Sequence, residues 1–302
     1  MAKLVDALAL GASGATLESS SLSARTKHML FFWHNFYPPA ILFSLGPVHI
    51  YWYGLIMVLA ITAGLGITLK LAKNYNVSSE SVFDLSFWLI IGGLIGARLY
   101  DDCLNLSYYL ARPLDSLKIW QGGLAIHGAI IAGLIVVWIF ATRLKINFWK
   151  LSALIVPGLV LGQAIGRWGN YFNQELFGQP TNLPWGIPIA ALNRPDDYVN
   201  FQFFQPTFLY ESLLCFLIFL VLMSMNACAI KKNRLNKRFF IWSTASYVIL
   251  YSIVRFLLEF IKVDATPQLF ALRWPQIISL ILIIISLLVL IFNPHARGQK
   301  TS

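Results

Sequence analysis

The chain has 302 residues, of which 58% are hydrophobic and only 12% charged, with a formal net charge of +10. Soluble domains carry about twice that charged fraction, so a soluble globular fold is excluded and a multi-pass membrane protein is expected. Cys103, Cys215 and Cys228 show no CxxC or Cys/His spacing, which supports neither a zinc site nor a disulfide framework.

The first 28 residues, small and polar, lack the apolar core of a signal peptide. They read either as a disordered tail or as an extension ahead of a start at Met29. On the second reading the stretch resembles a transfer RNA gene translated in frame, with Ser19 to Leu22 matching a T-arm.

Apolar stretches long enough to cross a bilayer, about 20 residues each, run near 50–72, 82–102, 122–142, 151–170, 207–230, 239–261 and 275–293. The expected fold is an all-α integral membrane protein of about seven transmembrane helices. A small extracytoplasmic head, residues 171–206, is inserted between spans four and five. Residues 29–302 form the membrane domain.

Lys and Arg in the connecting loops set the orientation. One side holds Lys70, Lys73, Arg143, Lys145, Lys150, Lys231, Lys232, Arg234, Lys237, Arg238, Arg297 and Lys300; the other holds only Arg112, Lys118, Arg194, Lys262 and Arg273. The richer side is expected to be cytoplasmic, together with the C-terminus. The basic excess is then a topology signal and a contact for anionic lipid, and no nucleic acid is needed to explain it.

Ionisable groups at membrane depth cost about 2.5–3.5 kcal/mol on insertion scales and mark functional sites by default. Arg98, in "GGLIGARLY", lies near the outer end of span two, where it either snorkels to the interface or helps bind a phosphate. His127, in "GGLAIHGAIIAG", is flanked by glycines that allow close approach; it is either a hydrogen-bonded core residue or a catalyst with room for a substrate. In span four, "GRWGNYFNQELFG" (166–178) gathers Arg167, Asn170, Asn173, Gln174 and Glu175 at one membrane boundary. Tyr251, Arg255 and Glu259 follow at i, i+4 and i+8, a drift of about 40° per step that keeps them on one stripe of span six. They form either a structural ion pair or part of a site. Two intramembrane arginines with Glu259 as the obvious neutraliser leave surplus positive charge. Guanidinium forks suit phosphate oxygens, so an anionic phospholipid is the expected ligand.

These residues resemble a known family. The stretch 166–178 is similar to the signature of bacterial prolipoprotein diacylglyceryl transferases, Gly-Arg-x-Gly-Asn-Phe-x-Asn-x-Glu-x-x-Gly. The segments "YWYGLIM", "GARLY", "GGLAIHGAIIAG", "QPTFLYES" and "LYSIVRFLLEF" agree in order, from about Phe36 to Phe292. The resemblance implies transfer of a diacylglyceryl group from phosphatidylglycerol to the lipobox cysteine of a prelipoprotein in the bacterial inner membrane. A thioether forms and glycerol-1-phosphate leaves. It makes Tyr53, His127, Arg167, Asn170, Glu175, Gly178, Tyr251, Arg255 and Glu259 the important positions: His127, Arg167, Arg255 and Glu259 are expected in catalysis, and Arg167, Tyr53, Asn170, Glu175, Gly178 and Tyr251 in substrate binding, where Arg98 joins them on its phosphate reading. The substrate supplies the nucleophile, so the chemistry calls for no metal or cofactor. Two departures stand out: Tyr171 replaces the signature's Phe, and Phe204-Gln205-Pro206 replaces the common Arg-His-Pro. A transporter of anionic lipids would share the buried arginines without needing the histidine.

Overall fold

The computed structural model describes His34 and residues 36–292, and the expectations for residues 1–28 lie outside these described residues. The helices that carry the fold are α1 (Trp52–Ala72), α2 (Ser79–Leu104), the short α3 (Leu106–Ala111), α4 (Ile126–Arg143), α5 (Phe148–Phe172), α6 (Thr207–Lys231), α7 (Lys237–Leu258) and α8 (Trp274–Phe292). All but α3 are long and apolar enough to cross a membrane, seven among the described residues. The protein is an all-α multi-pass membrane protein.

Helix starts follow their local chemistry. The second, fourth and sixth spans open on polar caps: Ser78, Asn147 and Asn236 each accept a backbone N–H of the first turn, from Ser81, Trp149 and Phe239 at 3.1, 2.9 and 3.0 Å. The third span begins at Ile126, four residues later than hydropathy suggests. Gly122 and Gly123 adopt φ of +93° and +71°, outside any helix, so the apolar run starts before the helix can.

α5 is the central helix, packed by α1, α6 and α7. Small residues let backbones approach where lipid offers no hydrophobic drive between helices. A Cβ added at Gly64 of α1 would lie 2.8 Å from the carbonyl oxygen of Gly158 in α5. A second crossing joins α2 to α4, where a Cβ on Gly128 would lie 2.5 Å from the Cβ of Tyr100. At the opposite end from the head, the buried Tyr75 hydroxyl donates to the equally buried Asn226 at 2.7 Å, tying the α1–α2 loop to α6.

Three small antiparallel pairs decorate the other end. β1 (Ile41–Leu45) pairs with β2 (Val48–Tyr51), which runs into α1. β3 (Ile187–Pro188) pairs with β4 (Phe203–Phe204), and β5 (Gln268–Leu269) pairs with β6 (Leu272–Arg273), which runs into α8. The segment between α5 and α6 is built on an apolar cluster of Tyr171, Phe177, Ile187, Ile189, Phe204 and Phe208. Gly178 bridges to Lys262, and Pro180 to Phe204. The head is thus stitched into the loop that follows α7.

Candidate active site

Arg167 lies five residues before the end of α5, about 8 Å below the helix terminus at 1.5 Å per residue. Its Nη2 is 2.9 Å from Glu211 Oε1 on α6. Arg255 Nη1, on α7, approaches the other oxygen of the same carboxylate at 3.4 Å. Glu211 is 1% exposed, and the Tyr251 hydroxyl donates to it at 3.2 Å. Arg167 also donates to Tyr251 at 3.5 Å. One buried carboxylate therefore gathers a cation from each of two helices and a phenol from the second of them.

The knot extends in two directions. Arg255 Nη2 reaches Glu259 Oε2 at 3.4 Å, and Arg273 Nε reaches Glu259 Oε1 at 3.3 Å. Arg273 also donates to the carbonyls of Glu259 (3.0 Å), Lys262 (2.9 Å) and Asp264, which fixes the loop after α7. Lys262 Nζ, itself buried, stands 4.0 Å from Glu211 Oε2. Burial, with Arg255 close by, pushes the Lys262 ammonium down to about 8.

On the other side, Arg167 Nη1 donates to Asn170 Oδ1 at 3.2 Å, and Asn170 Nδ2 donates to Glu175 Oε1 at 2.8 Å. The backbone permits this return because Gln174 and Leu176 adopt φ of +51° and +55°, an uncommon conformation for residues other than glycine. The turn brings the Glu175 amide back to the Asn170 carbonyl at 3.0 Å. Tyr53 of α1 lies flat on α5: a Cβ at Gly169 would meet its Cδ2 at 2.7 Å. The Tyr53 phenol is close enough to Glu175 and Arg167 to feel both charges.

Gly178 holds the crossing. Its amide donates to Gln205 O at 2.9 Å, and the next residue, Gln179, donates to Ile261 O at 2.7 Å. A Cβ at Gly178 would lie 2.9 Å from Gln205 Cβ, 2.9 Å from Thr207 Cγ2 and 3.0 Å from Ile261 O. Only a glycine lets three strands of backbone meet here.

Helices α1, α5 and α6 line an open apolar groove of about 510 Å³, with Trp52, Leu55, Leu161, Ile165 and Phe216 on its walls; it reaches Trp168 and Ser212, the chain neighbours of Arg167 and Glu211. A second cavity, about 690 Å³, has a mixed lining in which Glu259, Lys262, Asp264 and Arg273 supply the charges and Tyr198 comes from the head.

Two further sequence candidates have contacts of their own. Arg98 is buried and its guanidinium is engaged by loop carbonyls: Ser116 at 2.7 Å, Gly122 at 2.8 Å, Gly123 at 2.9 Å, and Asp115. Asp102 stands 3.6 Å away. Arg98 thus neither snorkels nor points its donors at an open site; it folds the loop that leads into α4. His127 is exposed in the first turn of α4, with the Tyr100 ring 5.8 Å away. Among the described residues no hydrogen bond or ion pair joins either residue to the Arg167 knot. The neighbouring Gly128 is accounted for by the α2–α4 crossing, so the space it leaves is filled by Tyr100.

Residues 40–292 match the family described as Prolipoprotein diacylglyceryl transferase. The chain belongs to this family. A Nostoc sp. protein named phosphatidylglycerol–prolipoprotein diacylglyceryl transferase is 41% identical over 246 residues, 80% of this chain and 85% of that one. Proteins of the same name from Synechococcus elongatus and Synechocystis sp. are 40% and 36% identical. They are matched over 84% and 85% of this chain, and over 87% and 89% of their own.

For a member of this family the residue that sequence reasoning passed over is Glu211. It sits in the matching segment "QPTFLYES", where spacing alone gives its carboxylate no partner. Its signal was available: a lone acid five positions into an apolar span, in a chain with two buried arginines and one recognised counter-charge. Lys262 and Arg273 read from the sequence as loop cations, and the fold brings both to the knot.

Proposed function

We infer that this protein transfers the diacylglyceryl group of phosphatidylglycerol to the lipobox cysteine of prelipoproteins, the first step of lipoprotein maturation. Family membership supports the reaction. The observation that carries the chemistry is the pairing of Arg167 and Arg255 on Glu211, with 21% and 22% of their side-chain surface open. Two guanidinium forks, each partly open, suit a phosphate that is attached to acyl chains once it competes for donors that Glu211 now holds.

In the proposed reaction the cysteine sulfur attacks the glyceryl carbon that bears the phosphate. The C–S bond forms, the C–O bond breaks, and the electron pair leaves on the phosphate oxygen of glycerol-1-phosphate. The free thiol has a pKa near 8.5, so loss of its proton to a base speeds attack, and His127 is the assigned acceptor. Arg167 and Arg255 stabilise charge growing on the leaving phosphate, which is where fixed cations help most. Glu259 orients Arg255. Tyr53 and Tyr251 supply hydroxyls to phosphate or ester oxygens, and Asn170, Glu175 and Gly178 shape the wall that holds the headgroup glycerol. For Arg98 the engaged donors favour a role in shaping the loop before His127 over direct phosphate contact.

The distribution of Lys and Arg supports a cytoplasmic C-terminus and an extracytoplasmic head, in the bacterial inner membrane. Incubating the purified protein with phosphatidylglycerol and a lipobox peptide, then weighing the peptide, tests the activity. A mass gain of one diacylglyceryl group is expected. An unmodified peptide under conditions where the protein binds lipid would favour a lipid transporter instead.

A further inference from the structure

We propose that Lys262 is the positioning residue that decides whether Glu211 or a lipid phosphate holds the two arginines. The inference rests on the reading of the knot as the phosphate site. It begins from charge. The connected cluster contains Arg167, Arg255, Lys262 and Arg273 against Glu211 and Glu259, and Glu175 joins it through Asn170. Counted with ordinary charges over these bonded side chains alone, with Asp264 of the second cavity left outside, four cations face three carboxylates. A neutral Lys262 leaves the cluster with no net charge, and a protonated one leaves it with an excess of one.

Geometry gives that proton a specific effect. Glu211 Oε2 is shared between Arg255 at 3.4 Å and Lys262 at 4.0 Å. A phosphate arriving at the arginines must displace part of Glu211's hold, and a desolvated carboxylate left without a cation is costly. The ammonium of Lys262 gives Glu211 a partner that remains when the arginines turn to the lipid. The backbone fixes the lysine there, because residue 262 is bridged to Gly178 and its carbonyl accepts from Arg273.

The groups facing Lys262 are Arg255 from α7, Glu211 from α6, Arg167 from α5 and Glu259 beside it in the chain, with Tyr198, Asp264 and Arg273 around the second cavity. Burial first, then the charges of Arg255 and Arg167, outweigh the opposing pull of Glu211 and Glu259 and hold Lys262 near 8, well below an ordinary lysine. The sign follows: below that value the ammonium is present and phosphate binds; above it the ammonium is lost and binding weakens. By linkage, phosphate binding raises the affinity of Lys262 for its proton by the same factor.

The test measures KM for phosphatidylglycerol at saturating lipobox peptide, together with equilibrium binding of fluorescent phosphatidylglycerol to the solubilised full-length protein. The wild type is expected to lose about fivefold or more in both between pH 7 and pH 9.5, while kcat does not fall. Lys262→Arg, whose charge persists, keeps its pH 7 affinity across the range. Lys262→Gln binds weakly at both ends. An identical pH dependence in wild type and Lys262→Arg overturns the proposal, as does wild-type KM at pH 7 in Lys262→Gln. If Lys262→Gln does not fold, the arginine variant decides alone. A wild type that binds lipid and transfers nothing removes the transferase reading while the binding arm still judges Lys262.

Discussion

Replacing Glu211 with glutamine keeps the shape of the side chain and an acceptor for Tyr251, and removes one charge. Three cations then lose their common partner. At the observed separations of 2.9, 3.4 and 4.0 Å, and an effective dielectric of about 20, each attraction is worth about 4–6 kcal/mol. Most of that gain is cancelled in the wild type by the desolvation of Glu211, which is 1% exposed. What the variant experiences is the cost of leaving buried cations uncompensated, about 3–5 kcal/mol. For a chain of this length, where each kcal/mol moves the midpoint by about 2–4 °C, the melting temperature should fall by about 10 °C in micelles of zwitterionic phosphatidylcholine. Adding phosphatidylglycerol should restore at least half of the loss, because its phosphate supplies the missing negative charge at the same arginines. Thermal melts followed by tryptophan fluorescence in the two lipids read both numbers. A Glu211→Gln protein that melts within about 2 °C of wild type in phosphatidylcholine would show that the knot is not the electrostatic centre described here.

Arg167→Lys should lose about 100-fold or more of the transfer rate with little change in melting, because a point charge cannot span Glu211, Asn170 and a phosphate oxygen as a fork does; near-normal peptide modification would remove Arg167 from the reaction. His127→Gln should be inactive at neutral pH and recover in part as the pH approaches the ordinary thiol value near 8.5. A rate that stays flat with pH would take the thiol proton away from His127. Gly178→Ala should cost about 1–3 kcal/mol by overpacking, and it should lower activity as well, since the same crossing anchors Lys262. Stability and turnover measured side by side check the coupling.

The seven spans were legible because bilayer-length apolar runs leave little choice of structure, and their ends differ from the helices by a few residues. The third span shows the limit of hydropathy: it registers the greasiness of residues 122–125, while backbone conformation at Gly122 and Gly123 keeps them out of the helix. The stripe of Tyr251, Arg255 and Glu259 was readable from helical spacing alone. Glu211 was not, since its meaning depends on α6 lying between α5 and α7, and spacing within one helix carries no information about its neighbours. A charge balance of all groups at membrane depth would have pointed to it. Arg98 illustrates the opposite failure: a buried arginine has the same sequence appearance whether its donors meet a ligand or, as here, carbonyls of its own chain.

The shared carboxylate has a consequence for biogenesis. Spans enter the bilayer in chain order, so Arg167 arrives on α5 before Glu211 has been synthesised. Until α6 follows, the hydrogen-bond partners that the described residues offer the arginine are Asn170 and, through it, Glu175, both within eight residues of it. Arg255 has the reverse history, entering a bundle where its counter-charge already waits. The signature stretch 166–178 therefore serves a growing chain as well as a finished one, carrying a private neutraliser for the interval in which the permanent one does not yet exist.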